Sequence, residues 1–121
     1  MSYDIRISVK VEGCDRYAEI ATPEYDNPTF NLAEMFRACM DWDFKTSKEN
    51  EKGEYQVCYY PCSFAIEKIE RGIKELRTNR KAYDQYGGST SCARRALESL
   101  SDCIYEQAEE IPIECLYMSW V

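Results

Sequence analysis

The amino-acid sequence predicts an α+β fold, in which a small antiparallel sheet of three to four strands packs with a long antiparallel helical hairpin and one short helix. Three observations predict it. Residues 3–11 alternate between apolar and polar, residues 61–110 carry two apolar stripes at helical spacing, and residues 113–120 are rich in strand formers. The predicted element order is β-β-α-(β)-α-α-β. A chain of 121 residues is expected to form one domain, residues 1–121.

The N-terminal segment, residues 1–22, is predicted to form a β-hairpin. In residues 3–11 every second side chain is apolar, which is the pattern of a strand with one face in the core and one in solvent. Residues 12–15 (Glu-Gly-Cys-Asp) supply a turn, and residues 16–22 form a second, weaker strand.

A short amphipathic helix is predicted over residues 31–41. Asn31 suits the N-cap position, and Glu34 follows three residues later, which is a variant of the capping box. The apolar stripe has the spacing i, i+3, i+4, i+7, i+8 and consists of Leu32, Met35, Phe36, Cys39 and Met40.

The segment between the short helix and the helical hairpin is mostly polar. Residues 45–53 are predicted to be a loop. The alternation in residues 55–60 permits a short strand, which is the optional one in the predicted order.

Residues 61–86 and 90–110 are predicted to be the two helices of the hairpin. Gly87-Gly88 ends the first helix, because glycine accepts the left-handed conformation without a steric penalty. Residues 89–91 offer N-caps for the second helix, and Pro112 terminates it. The apolar stripes include Ile66, Ile69, Ile73 and Leu76 in the first helix and Ala96, Leu97, Leu100, Cys103 and Ile104 in the second. Small residues that allow close helix approach are Gly72, Ala93 and Ala96.

The last predicted element is a strand over residues 113–120, with apolar side chains on both faces. One face carries Ile113, Cys115 and Tyr117, and the other carries Leu116, Met118 and Trp120. Such a strand is either central in the sheet or part of an interface.

The charge distribution restricts the classes of partner. The net charge is −7, with acidic segments at residues 12–43 and 98–114 on either side of a basic middle, residues 61–95. An excess of negative charge disfavours direct binding to nucleic-acid phosphates. The sequence shows neither an apolar run long enough for a bilayer nor a secretory signal, so we expect a protein of the host cell cytosol.

The sequence assigns no catalytic, cofactor-binding or metal-binding residue. It contains no histidine and no glycine-rich phosphate loop, so the expectation is a protein that is not an enzyme and has no cofactor. Cys58 and Cys62 form a lone C-x₃-C pair, which is a weak signal for zinc or for a redox disulfide. Cys62 at a helix N-terminus could have a lowered thiol pKa. Reduced thiols that act as small apolar residues, among them Cys39, Cys103 and Cys115, are the favoured interpretation.

Two groups of surface residues are candidate binding sites. Exposed aromatic residues among acids are typical of protein interfaces, and the candidate partner-binding residues are Trp42, Phe64, Glu98, Asp102, Tyr105, Glu106 and Glu109. The candidate anion-binding residues are Lys74, Arg77, Lys81, Arg94 and Arg95. Solvated helix faces, and aromatic rings that cap the sheet and hairpin ends, are the alternatives. Arg80 falls on the apolar stripe, where it either extends past the core or meets a carboxylate.

Three segments resemble small proteins encoded by phages and prophages of Gram-positive bacteria. The first segment is the opening strand. The second is Asn31-Leu-Ala-Glu-Met-Phe-Arg-Ala-Cys-Met, and the third is the helix Ile-Glu-Lys-Ile-Glu-Arg-Gly-Ile-Lys-Glu-Leu-Arg. The resemblance implies a cytosolic accessory protein that acts on the host, of which an anti-defence inhibitor is one form. It assigns no role to any residue.

We therefore expect a non-enzymatic protein-binding module that inhibits a host or anti-phage defence (CRISPR-type) protein, with its acids imitating nucleic-acid charge. A small anionic ligand or nucleotide bound by the basic residues is the alternative. The expected partner is a protein, not a nucleic acid or a membrane. A homodimer through the C-terminal strand or the exposed aromatic residues is a further expectation.

Overall fold

The computed structural model describes residues 2–13 and 16–121 and confirms the predicted α+β fold. The main sheet contains β1 (Ile5–Lys10), β2 (Tyr17–Ala21), β5 (Tyr60–Pro61) and β6 (Leu116–Trp120). A separate two-stranded hairpin contains β3 (Ser47–Glu49) and β4 (Tyr55–Val57). The helices are α1 (Ala33–Met40), α2 (Cys62–Thr78) and α3 (Thr90–Ala108).

The main sheet is antiparallel throughout, with the strand order β2-β1-β6-β5. The predicted alternation is confirmed at the start of β1, where Ile5 and Ile7 are fully buried. It fails further along, because Ser8, predicted to face solvent, is only 3% exposed, and Val11, predicted to face the core, lies beyond the end of β1 and is 40% exposed. The pairing of β1 with β2 confirms the N-terminal hairpin. Two residues of its predicted turn, Cys14 and Asp15, lie outside the described residues.

The C-terminal strand is central in the sheet. It lies between β1 and β5, and it begins at Leu116 because residues 113–115 form a 3₁₀ turn. Of the two places predicted for this strand, the centre of the sheet is therefore the observed one, with Pro61 opposite Tyr117 on the β5 side.

The first hairpin helix is shorter than the predicted residues 61–86. It ends at Thr78, whose hydroxyl donates to the carbonyl of Lys74. The non-helical backbone of Asn79 (φ −132°, ψ 37°) then leads into a 3₁₀ turn at Arg80–Tyr83. Threonine and asparagine are poor helix formers, and the turn keeps Tyr83 in the core. Arg80 is exposed, so its predicted place in the buried stripe is wrong.

The start of α3 agrees with the prediction. The hydroxyl of Ser89 accepts a hydrogen bond from the backbone N–H of Cys92, so Ser89 is the N-cap. The helix itself ends at Ala108, two residues before the predicted end.

Two predictions for the first half of the chain need correction. The helix predicted over residues 31–41 starts as a 3₁₀ turn at Phe30–Leu32, so Asn31 does not cap α1 and its side chain accepts from the Thr29 hydroxyl instead. The predicted loop at residues 45–53 contains β3. The side-chain oxygen of Asn50 accepts from the N–H groups of Lys52 and Glu54, which closes the β3–β4 turn.

The three helices meet at Gly72 of α2. A β-carbon added there would lie 2.7 Å from Cγ of Met40 in α1 and 2.8 Å from Cδ1 of Leu97 in α3. It would also lie 3.2 Å from Sγ of Cys39. All three neighbours are fully buried, so they have little room to move. The predicted close approach of the helices at Gly72 is therefore confirmed.

Replacing Gly72 with Ala should destabilise the protein. Overpacking costs about 1–3 kcal/mol, which exceeds the gain of about 1 kcal/mol from better helix propensity. Chemical denaturation of the variant checks this expectation.

Gly87→Ala is the matched control, because its β-carbon would meet only the carbonyl oxygen of Asn31 at 3.9 Å. This variant should be as stable as the wild type or slightly more stable. Equal stability of the Gly72 and Gly87 variants would contradict the close approach of the three helices.

Candidate partner-binding face

The outer surface of α3 carries four predicted partner-binding acids. Glu98, Asp102, Glu106 and Glu109 are spaced by four, four and three residues, so they follow one side of the helix. Glu98 is half-buried, whereas the other three are exposed. The helical prediction therefore brings these residues together as expected. We call Asp102, Glu106 and Glu109 the acidic ridge.

A groove runs between the acidic ridge and the segment that follows β2. The backbone N–H of Tyr25 donates to the hydroxyl of Ser99 at 2.8 Å and so fixes this segment against α3. Two open cavities of about 540 and 450 Å³ share Glu24, Ser99 and Asp102 in their walls. Because they share these residues, the cavities form one groove. Arg94 and Arg95 line its first cavity, whereas the charged side chains of the second are all carboxylates.

Glu98 forms ion pairs with two arginines and is therefore not counted in the acidic ridge. Its Oε2 lies 3.1 Å from Nη2 of Arg77 in α2, and its Oε1 lies 3.1 Å from Nε of Arg94 in α3. Both contacts are partly exposed, so each is a surface ion pair. The two predicted patches thus meet here, and each neutralises part of the other.

The five candidate anion-binding residues do not form one basic site. Arg77 and Arg94 share the carboxylate of Glu98, and the guanidinium of Arg95 lies 5.6 Å from the centre of the Tyr25 ring. A separate slot of about 310 Å³ on α2 includes Lys74 and Arg77 in its walls. Lys81 lies in the 3₁₀ turn after α2.

The aromatic candidates differ in exposure. Trp42 is only 8% exposed, so its predicted exposure is wrong. The segment after α1 turns into the core. There the indole of Trp42 packs edge-on against the ring of Tyr60, with 4.9 Å between the ring centres. Phe64 is 41% exposed, and the centre of its ring lies 5.5 Å from the centre of the Trp42 ring.

Tyr105 is the aromatic side chain that stands beside the acidic ridge. It is 51% exposed, and its hydroxyl donates to a carboxylate oxygen of Glu70 on α2. This hydrogen bond to the carboxylate raises the pKa of Tyr105. An exposed ring among carboxylates matches the surface composition that the sequence predicted.

The cysteines are free thiols throughout the part of the chain that the structure describes. Cys39, Cys62 and Cys103 are buried, and burial raises their pKa values to about 12, 12 and 11. The predicted lowering of the thiol pKa at Cys62 is therefore wrong, because loss of water contact outweighs the helix terminus. Cys115 is exposed, which corrects its predicted burial.

Sequence analysis missed Glu24 and Ser99 as groove residues. Glu24 was visible only as one of several acids in residues 12–43, and its position depends on the loop geometry that follows β2. Ser99 flanks the apolar stripe of α3, so periodicity alone does not indicate its hydrogen bond to Tyr25. Tertiary contacts, which a single sequence does not supply, place both residues.

Comparisons with protein-family models, with curated proteins and with solved structures give no match to this chain. Among the described residues, no helix has both the length and the apolar character needed to cross a membrane. The same residues contain no cluster of cysteine and carboxylate side chains that could hold a metal ion.

Removing the charge of Glu98 should produce a small, salt-dependent loss of stability. We expect Glu98→Gln to lower the free energy of unfolding by up to about 1 kcal/mol at low salt, because it breaks two surface ion pairs. The loss should shrink in about 1 M NaCl, where charges are screened over about 3 Å. Urea denaturation at two ionic strengths measures both effects.

Asp102→Asn is the control, because no ion pair of Asp102 is seen among residues 2–13 and 16–121. It should leave stability unchanged or raise it slightly by reducing repulsion along the ridge. A loss in this variant as large as in the Glu98 variant would contradict the ion-pair cluster.

The buried thiols should make the protein less stable at high pH. Below pH 9.0, the ordinary thiol pKa, both the folded and the unfolded chains hold these protons. Above it the unfolded thiols lose protons that the folded thiols keep up to a pKa of about 11 or 12. The free energy of unfolding should therefore fall as pH rises above 9.0.

Urea denaturation at a series of pH values compares the wild type with two single variants. Cys39→Ala removes one buried thiol and should reduce the decline, whereas Cys92→Ser replaces an exposed thiol and should not. Identical pH profiles for both variants would show that burial of the thiols does not cause the decline.

Proposed function

We propose that this protein is a non-enzymatic protein-binding module that inhibits a nucleic-acid-binding protein of the host or of an anti-phage defence system. Its binding surface is the acidic ridge with the adjoining cavity, which Thr22 and Glu24 line on the opposite wall. The carboxylates there occupy the place that phosphates of a nucleic acid take in the partner's basic site.

One observation carries the proposal: the carboxylates of Asp102, Glu106 and Glu109 line one open face, and the described residues place no basic side chain in an ion pair with them. Glu24 adds a further carboxylate on the opposite wall of the groove. Uncompensated charges of one sign attract a partner of the opposite sign and raise the rate of encounter.

The contacts of Glu98 narrow the proposed surface. Because Arg77 and Arg94 hold its carboxylate, Glu98 contributes little net charge to a partner. The same ion pairs argue against the alternative of a small anionic ligand, since an anion would have to displace Glu98. The described residues provide no single cluster of the five candidate cations.

The proposal is tested by capture from a lysate of a Gram-positive host, followed by displacement with duplex DNA. The immobilised wild-type chain should retain a nucleic-acid-binding protein that duplex DNA releases. The variant Asp102→Lys, Glu106→Lys, Glu109→Lys should retain about tenfold less or worse, because like charges now face each other.

The matched control makes the same charge change at three exposed acids outside the face: Glu12→Lys, Glu34→Lys, Glu114→Lys. This variant should retain the partner as the wild type does. Equal loss in both variants would mean that only net charge matters, and retention by the ridge variant would rule out the ridge as the binding surface.

A further inference from the structure

The β3–β4 hairpin has no core of its own. All six of its strand residues are exposed, including Tyr55 at 74%, and the two strands make extensive contacts only with each other. A two-stranded hairpin of this kind is at best marginally stable in water without further packing. Covering its apolar side chains would therefore stabilise it.

A cleft separates this hairpin from the outer face of the main sheet. It has a volume of about 550 Å³ and is lined by Tyr17, Gln56, Val57 and Tyr59. The rings of Tyr17 and Tyr59 are stacked at 3.8 Å, so they form a fixed apolar wall. The edge of Tyr117 supports this wall at 5.1 Å from Tyr17.

An exposed ring and an open cleft thus lie next to each other on one surface. Tyr55 and Val57 are two residues apart in β4, so their side chains point to the same side of the hairpin. Val57 lines the cleft, whereas Tyr55 projects into solvent. A cleft of about 550 Å³ has room for a tyrosine side chain.

The charges of the β3–β4 hairpin are nearly balanced, so they do not oppose the approach of a second copy of the same chain. Residues 47–57 carry Lys48 and Lys52 against Glu49, Glu51 and Glu54, so their net charge is −1 out of a total of −7. Two acidic chains can therefore approach through this surface with little repulsion. The acidic ridge belongs to the end of α3, which contributes no residue to the cleft.

We propose that the chain forms a two-fold symmetric homodimer through this surface, in which Tyr55 of each copy occupies the cleft of the other. The same patch serves both copies, as a closed two-fold interface requires. Each inserted ring is an aromatic anchor surrounded by apolar and amide groups, which is the composition of an interface hot spot.

Sedimentation velocity and light scattering of the full chain over a range of concentrations test the dimer. The wild type should show about twice the monomer mass of 14.2 kDa. Tyr55→Ser should weaken association by about 30-fold or more, the effect of losing a hot-spot residue. Tyr55 is so exposed that the change should leave the folded monomer intact, which circular dichroism verifies.

Tyr105→Ser is the matched control, because Tyr105 is also an exposed tyrosine but lies on α3. This variant should stay dimeric, as should the triple lysine variant of the acidic ridge. A wild type that remains monomeric at every concentration overturns the proposal. So does a dimer that dissociates in the Tyr105 variant and not in the Tyr55 variant.

Discussion

The close contact at Gly72 is the constraint on which the helical layer depends. With hydrogen in place of a side chain, α2 contacts Cys39 and Met40 of α1 and Leu97 of α3 at the same level. Residues of the same turn of α2 also stabilise the end of α1. The guanidinium of Arg71 donates to the carbonyl of Cys39, and the ammonium of Lys68 donates to the carbonyl of Asp41 at 3.2 Å. Positive charges at a helix C-terminus also interact favourably with its dipole.

This contact determines which helix surfaces remain free. Once Gly72 is held between α1 and α3, Arg77 lies within reach of Glu98 and ties the outer surfaces of the two helices together. Because of that ion pair, the charges of Arg77 and Glu98 neutralise each other where the basic and acidic patches meet. Beyond it, towards the end of α3, Asp102 and Glu106 line the cavity beside Thr22 and Glu24. The free acidic surface is therefore a consequence of helix packing as well as of composition.

Periodicity predicted the elements whose apolar residues all face one layer. The alternation from Ile5 onward and the stripes of α2 and α3 belong to this class, and so do the acids of α3, which share one helix face. The predictions failed where a tertiary contact decides the outcome. Trp42 follows a helix and looked like a surface aromatic, but the turn at Asp41 (φ 50°) directs the chain into the core. Sequence also offered no way to pair Arg77 with Glu98, because 21 residues separate them.

The two proposed surfaces use different physical forces, and their separation has a functional consequence. In the proposed complex, the acidic ridge would act through long-range charge, which would steer a basic partner but contribute modest affinity at physiological salt. The tyrosine cleft acts through burial of aromatic area, which depends little on salt. The cavity beside the acidic ridge and the tyrosine cleft share no lining residue, so a dimer through the clefts would not use the residues of the ridges. In such a dimer the two ridges would be linked, so once one ridge has bound, the other would bind at a high effective concentration. Two weak charge contacts could then form a stable inhibitory complex with a partner that presents two basic sites.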